Sequence, residues 1–249
     1  MEQTYFNYTN HRADGWWERR TFLHGWWRIQ AGDRRWAPPY YPALRRLLVR
    51  QQSGYLASVP AVLFHLEALP RRQRRKDEPG GPHFAGALME EAVAAAVLYV
   101  DPSRTTNVGY LGLLHCVNHQ ETLERFWAAA QEILLELGCR RVIGRAGLSP
   151  GLPMGALQNY FHVSPPLHTP YNSPYLPELL ESLFDPVGES DLYHYTLPTA
   201  ATVTAGVAQI EPFDPARLAG DLLPLFFAGF EQGEELCMPR ANEVHFILD

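Results

Sequence analysis

The sequence predicts an α/β (α+β) fold in which a mixed, mostly antiparallel sheet carries helices on both faces and includes one parallel β-α-β crossover. Two apolar stretches, 91–100 and 108–117, are joined by a short polar segment and predict an antiparallel hairpin. An amphipathic helix follows, and an apolar strand at 140–146 comes directly after it. Strand, helix and strand with short joins predict a right-handed parallel crossover.

The crossover helix has the clearest periodic pattern in the chain. Apolar residues recur at three- and four-residue steps from Leu123 to Leu137, opposite a charged face. Asn118, followed three residues later by Glu121, predicts a capping box at the helix start. Gly138 predicts a left-handed residue that ends the helix.

The residues before the hairpin predict a helix at 41–50 and a strand at 58–69. The first thirty residues are crowded with aromatic rings, which we interpret as a satellite of the core or a subunit contact. A basic run at 71–76 is followed at once by acidic, proline- and glycine-rich sequence. We interpret that run as the solvated tip of a hairpin, because charge runs in such loops usually serve solvation.

The residues after the crossover predict an ordered loop at 147–168, a helix and a closing strand at 191–197. The Ser-Pro pair at 173–174 predicts the N-cap and first turn of that helix. We therefore divide the chain into a domain of residues 1–198 and a partial second module, residues 199–249. This module is too small to fold independently. We therefore expect it to pack on the first domain or on a partner subunit.

Composition limits the partners and the compartment. The chain has 249 residues and a net charge of −6, so it has no overall basic field that would attract nucleic acid or an anionic membrane. No apolar run reaches the roughly 18 residues that a membrane-spanning helix needs. Three cysteines without metal-ligand spacing fit a reduced protein better than a disulfide framework. We therefore expect a cytoplasmic protein without nucleic-acid or membrane partners.

The residues argue against two other kinds of site, a hydrolase nucleophile and a metal site. Gly147–Gly151 has the Gly-x-Ser-x-Gly pattern of a hydrolase elbow, but Pro150 has no N–H to donate to an oxyanion. His115, Cys116 and His119 suggest a metal site. Because His115 and Cys116 are neighbours in a strand, their side chains point to opposite faces. We therefore expect no metal.

Five short segments carry a resemblance to a known family. They are Asp33–Pro39, Arg140–Gly144, Pro165–Pro166, Tyr171–Tyr175 and Asp191–Tyr195. Together with the order of elements, they resemble a bacterial group of proteins with the GNAT fold of the acyl-CoA N-acyltransferase superfamily. The resemblance covers about residues 20 to 198.

The resemblance implies an N-acyltransferase that uses acetyl-CoA or another acyl-CoA and a small-molecule amine or peptide as acceptor. Backbone N–H groups at the start of the crossover helix would hold the pyrophosphate. A separation between the strands 108–117 and 140–146 would admit the pantetheine arm, and an N–H at a bulge would polarise the thioester carbonyl. The cofactor-binding candidates are Cys116, Val117, Asn118, His119, Gln120 and Asn172.

The transfer also needs a general base and a general acid. Tyr171 and Tyr175 flank the helix start where acyltransferases often keep a tyrosine acid, and Glu91 begins a strand near which an amine could lie. Each candidate has a structural alternative. A tyrosine hydroxyl can bond a loop carbonyl, Asn172 can be a turn former, and Glu91 can be a solvated strand end.

A second hypothesis is a non-catalytic GNAT-fold module that binds a ligand or a protein and has lost the pyrophosphate loop. The segment 117–122 contains no glycine, although close approach of the backbone to a pyrophosphate favours glycine. Glu121 would also compete with phosphates for the positive end of the helix dipole. The aromatic N-terminus and the unfinished C-terminal module suggest a homodimer.

Overall fold

The computed structural model describes residues 4–36, 39, 41–49, 55–71, 90–102, 107–148, 155–163 and 171–186, and the single positions 217, 220 and 224. Within these residues, five strands form one sheet in the order β1-β2-β3-β4-β5. Every neighbouring pair is antiparallel except β4 and β5, which are parallel and joined by a helix. The predicted fold class, a mixed and mostly antiparallel sheet with one parallel crossover, is confirmed.

The strands are β1 (Thr4–Arg12), β2 (Ala61–Arg71), β3 (Glu91–Val100), β4 (Val108–Cys116) and β5 (Arg141–Ala146). The helical segments described in full are α1 (Trp16–Gln30), α2 (Tyr41–Leu48), α3 (Gln120–Glu136) and α4 (Leu176–Glu181), and Tyr55–Ala57 form a 3₁₀ turn. All the helices in this part of the chain are too short or too polar to serve as a membrane-spanning segment.

Helices cover both faces of the sheet. Phe64 and His65 are consecutive residues of β2, so their side chains point to opposite faces. The ring of Phe64 packs on Phe126 of α3 at 5.0 Å, and the ring of His65 meets Phe22 of α1 edge-on at 6.0 Å. The sheet is therefore the middle layer between α1 and α3.

The aromatic N-terminus forms two elements that the sequence pattern did not predict. Its first part is the edge strand β1, which Arg12 ties to α3 through hydrogen bonds to both carboxylate oxygens of Glu136, at 2.7 and 3.0 Å. Its second part is α1, whose Phe22 and Trp26 are almost fully buried. These two rings belong to the main core, so the interpretation as a satellite of the core or a subunit contact is wrong for them.

Two helix starts differ from prediction. The N-cap of α3 is His119, whose ring Nδ1 accepts from the N–H of Thr122 at 3.3 Å, whereas Asn118 is exposed. A ring nitrogen three residues before an N–H can do the work of a capping hydroxyl. Helix α4 begins at Leu176, with Tyr175 rather than Ser173 at its N-cap position. Gly138 has a φ of 82° and ends α3 as predicted.

The described residues up to Leu183 belong to one compact unit. Several predictions lie outside the described residues: most of the basic run 71–76, the proline pair 165–166, the strand 191–197 and nearly all of the module 199–249. Those remain predictions, as does the domain boundary after residue 198.

Candidate functional site

Strand β4 contains one extra residue near its centre. Ala95 of β3 lies opposite His115, and Val97 lies opposite Gly112, so two steps along β3 match three steps along β4. Leu113 has a φ of 50°, in the left-handed region that side-chain-bearing residues seldom adopt. This is a β-bulge, a feature that re-aims backbone groups and often lies beside functional sites.

Pairing between β4 and β5 stops at the same place. The last register partners are Gly112 and Ala146, where β5 ends, while β4 continues to Cys116. A Cβ on Gly112 would lie 2.5 Å from the carbonyl oxygen of Gly147, so only glycine fits where the two strands part. Beyond this point β4 has no parallel partner in the part of the chain that the structure describes.

Helix α1 holds the bulge in place. The indole N–H of Trp26 donates to the carbonyl oxygen of Leu113 at 2.6 Å. The ring of Trp26 stacks on that of His115 with centroids 4.1 Å apart, and Nδ1 of His115 donates to the carbonyl of Trp26 at 3.2 Å. Trp36 packs edge-on against both rings, at 5.9 Å from Trp26 and 5.8 Å from His115. The bulge is therefore packed against the rings of Trp26, Trp36 and His115, which contact one another.

A groove of about 600 Å³ lies between the residues that follow α1 and the segment that precedes α4. That volume is in the range of small-molecule sites. Its polar lining consists of Gln30, Asp33, Arg34, Arg35, Ser173 and Tyr175. The groove thus offers a carboxylate and two exposed guanidinium groups within one concavity.

Hydrogen bonds connect the side chains that line the groove to one another and to Tyr171 beside it. The hydroxyl of Tyr171 donates to Oδ2 of Asp33 at 2.6 Å, and the hydroxyl of Ser173 donates to the side-chain carbonyl of Gln30 at 3.0 Å. Burial, and next the bond to Asp33, raises the pKa of Tyr171 well above its ordinary value. Tyr171 therefore stays protonated and serves as a donor that orients Asp33.

Tyr175 joins this segment to the end of β4. Its hydroxyl donates to the carbonyl of Cys116 at 2.9 Å, and burial raises the pKa of Tyr175. Burial also raises the pKa of the Cys116 thiol, which is fully enclosed and remains a neutral core group. For Tyr175 to act as an acid, it would have to release the Cys116 carbonyl.

Replacing Tyr175 with phenylalanine is expected to lower the free energy of unfolding by about 1 to 2 kcal/mol, because the Cys116 carbonyl then lacks its donor. Denaturant titration measures this change. Tyr160→Phe is the control, since Tyr160 is 68% exposed and should leave stability within about 0.5 kcal/mol. Equal stability of Tyr175→Phe and the parent protein would mean that the hydroxyl bond contributes nothing.

Backbone N–H groups around the start of α3 already have acceptors within the chain. Val117 N–H donates to the carbonyl of Val93 at 2.9 Å, and His119 N–H donates to that of Val117 at 2.8 Å. The Thr122 N–H donates to the His119 ring. Because these groups are engaged, this helix start offers fewer free donors to a pyrophosphate than the resemblance implies.

The other predicted cofactor-binding residues are placed differently. The Gln120 amide, at the α3 start, donates to the Ser182 hydroxyl at 2.6 Å, so it links α3 to the end of α4. Asn172 is 1% exposed, and its side chain bonds both the N–H and the carbonyl of Leu157, at 2.6 and 3.2 Å. Asn172 thus holds the loop around Leu157, which is a structural role but not the local turn considered from the sequence.

Glu91 is exposed at the start of β3, opposite Ala68. The described contacts of Tyr171 and Tyr175 run to Asp33 and Cys116 instead. The structure therefore brings the two tyrosines together with Asp33, which the sequence reasoning did not single out. The available signal was the position of Asp33 within the Asp33–Pro39 segment that carries part of the resemblance.

No protein-family model matches the chain, and no curated protein matches its sequence. Two solved structures with similar backbones are those of an aminoglycoside acetyltransferase from an uncultured soil metagenomic sample, one in complex with trehalose and one with sisomicin. Their TM-scores are 0.39 and 0.38 at 12% identity, and each comparison covers 78% of this chain and 97% of the other. Similarity this low does not indicate what this chain does.

Proposed function

We propose that this protein is a GNAT-fold N-acyltransferase that moves an acetyl or longer acyl group from acyl-CoA to an amine. One observation carries the proposal: β4 bulges at Leu113 where its pairing with β5 ends at Gly112 and Ala146. Beyond Gly112, β5 no longer pairs with β4 in the described part of the chain, so an extended pantetheine arm could pair with this strand through its amide groups. The Leu113 and Cys116 carbonyls would not take part, because they accept from Trp26 and Tyr175. A backbone N–H directed by the bulge would then polarise the thioester carbonyl.

The groove beside this strand end supports an amine acceptor. Asp33 provides the negative charge that an ammonium group favours, and Arg34 and Arg35 provide positive charges at the same groove for polar or anionic parts of the acceptor. Tyr171 donates to Oδ2 of Asp33 at 2.6 Å, and the Ser173 hydroxyl lies 3.4 Å from the same oxygen. In this proposal the acceptor is a small-molecule amine or a peptide.

Tyr175 is the proposed acid, because its hydroxyl lies at the Cys116 carbonyl, on the strand where the thioester would bind. Glu91, exposed at the start of the strand next to β4, is the proposed general base for the ammonium acceptor, and it lies outside the lining of the groove. The raised pKa of Tyr175 keeps its proton available for a departing thiolate.

Acetyl-CoA is expected to raise the melting temperature of the full, tag-free chain in a saturable way, because a ligand that binds only the folded state stabilises it. At about 100 times its dissociation constant, the gain in stability would be about 2.7 kcal/mol. Thermal unfolding with increasing acetyl-CoA and calorimetric titration measure this effect.

Two further ligands separate the parts of the cofactor. S-acetylpantetheine tests the strand edge at β4, and adenosine 3′,5′-bisphosphate serves as the matched control for the nucleotide end. Because the amides of Val117, His119 and Thr122 are engaged, we expect most of the affinity to come from the pantetheine part. If millimolar acetyl-CoA produces neither a shift nor heat of binding, the acyltransferase proposal is wrong.

The second candidate function is a non-catalytic module that binds a small ligand or a protein. The engaged amides at the start of α3 favour it, and so does the Tyr175 hydroxyl, which is committed to the Cys116 carbonyl. Acetyl-CoA without any effect on the melting temperature is the result that this candidate predicts.

A further inference from the structure

Three side chains of metal-binding type lie together between β1 and β2, outside the residues that line the groove. His11 of β1 is the register partner of His65 in β2, and Glu67 follows two residues after His65. Residues two apart in a strand share a face, and directly paired residues do as well. The two imidazoles and the carboxylate therefore project from the same face of the sheet, the face on which Phe22 of α1 meets His65.

The spacing of the donor atoms suits one ion. Nε2 of His11 and Nε2 of His65 each lie 3.4 Å from a different carboxylate oxygen of Glu67. Candidate donor atoms of the three residues all lie within 4.8 Å of one another. Metal–ligand distances of about 2.0 to 2.1 Å in a tetrahedron place donors roughly 3.3 Å apart. The two contacts to Glu67 already match that spacing.

The distance between the donor nitrogens of His11 and His65 must shorten before both can bind one ion, and this requires the His11 ring to rotate. The rings of His11 and His65 are stacked, with centroids 4.8 Å apart and planes 16° from parallel. The His11 side chain is 39% exposed, so it can reorient at little cost, whereas the His65 side chain is only 3% exposed and is held by its surroundings. A fixed buried ligand and an adjustable exposed one together can form a site on the existing backbone.

Three nitrogen atoms of the two imidazoles lack hydrogen bonds within the part of the chain that the structure describes. They are both ring nitrogens of His65, which is 2% exposed, and the buried Nε2 of His11. Buried polar atoms are nearly always satisfied, and leaving one unsatisfied costs stability. An ion bound at both Nε2 atoms and the Glu67 carboxylate would satisfy two of these nitrogens at once.

We propose that His11, His65 and Glu67 bind a divalent transition-metal ion such as Zn²⁺. Two imidazoles with one carboxylate suit such ions, whereas Mg²⁺ and Ca²⁺ prefer all-oxygen sites. Three protein ligands leave a fourth position for water or another ligand, as in catalytic zinc sites. The ion would join β1 to β2 at the edge of the sheet.

Burial agrees with this role for His65. It lowers the pKa of His65 to about 4, with the nearby His11 as a smaller cause, so the ring is neutral near pH 7. A neutral imidazole keeps the lone pair that a metal needs. The expectation of no metal was based on His115, Cys116 and His119 and not on His11 and His65.

Zn²⁺ titration of the full, tag-free chain, first stripped with a chelator, tests the site. We expect one equivalent to bind by calorimetry and the melting temperature to rise with Zn²⁺, because the ion binds the folded state. His11→Gln and Glu67→Gln each remove one ligand without disturbing the buried His65, and each should weaken Zn²⁺ binding by at least about 10-fold. His162→Gln, which removes an exposed histidine of the loop after Tyr160, should leave binding unchanged.

Circular dichroism and the melting temperature of the metal-free variants establish that they remain folded. His11 and Glu67 are only partly buried, so both variants are expected to fold. The proposal is overturned if the stripped chain binds no Zn²⁺. It is also overturned if His11→Gln and Glu67→Gln bind Zn²⁺ as tightly as the parent protein does, since the ion would then be bound elsewhere.

Discussion

Trp26→Ala is expected to lower the free energy of unfolding by about 4 kcal/mol, the largest effect of any substitution proposed for this protein. Trp26 is 1% exposed, stacks on His115 and donates its indole N–H to the Leu113 carbonyl. Truncation leaves a large cavity under α1 and an unbonded carbonyl at the bulge. Urea unfolding followed by circular dichroism measures the change.

Two variants separate packing from hydrogen bonding at this position. Trp26→Phe keeps most of the ring but removes the N–H, so we expect a loss of about 1 to 2 kcal/mol. Trp17→Ala is the matched control, because Trp17 is 68% exposed in the same helix and should change stability by no more than about 0.5 kcal/mol. If Trp26→Ala were no more destabilising than Trp17→Ala, α1 would not hold the bulge as described.

The second large effect is a loss of stability on acidification, measured on metal-free protein. Burial lowers the pKa of His65 from 6.5 to about 4, so between these values the unfolded chain binds more protons at this position than the folded one. The contribution that neutral His65 makes to the free energy of unfolding is fully present above about pH 6.5 and is lost as the pH falls toward 4. The total loss is about 3 kcal/mol, at about 1.4 kcal/mol for each pH unit that separates the two pKa values.

Denaturant unfolding at a series of pH values with a chelator measures this dependence. Among the residues that the structure describes, the titratable side chains in contact with His65 are His11 and Glu67, and both remain in the comparison variant, His65→Phe. Phenylalanine cannot bind a proton. The free energy of unfolding of the variant should therefore lack the fall between pH 6.5 and 4 that the parent protein shows. Identical slopes in both proteins would show that His65 does not resist protonation.

The parts of the fold with strong local periodicity could be predicted. The apolar stretches of β3 and β4, the three- and four-residue steps of α3 and the stop at Gly138 all depend on neighbours in sequence. Helix α1 escaped prediction although Phe22, Trp26 and Gln30 are buried at four-residue steps. The exposed residues Trp16 and Trp17 are also apolar, so the buried stripe does not stand out from the rest of the helix in the sequence.

The candidate site was predicted in part. The resemblance pointed to Tyr171 and Tyr175, and the structure places both at the groove or beside it. Their partners, Asp33 and the Cys116 carbonyl, come from distant segments that no spacing in the sequence relates. The hydroxyl of a tyrosine can bond many acceptors, so its role follows from which acceptor the fold brings near.

By itself, the sequence determined the order of the central elements and the crossover between β4 and β5, because hydrophobic period and helix stops act over a few residues. The tertiary structure alone decided that β4 bulges at Leu113 and that its pairing with β5 ends at Gly112, since both depend on α1 and β5 meeting the same strand. It likewise decided that His11, His65 and Glu67 converge. The alternation of a strand assigns each side chain to a face, but strand register and the packing of α1 determine which side chains meet there.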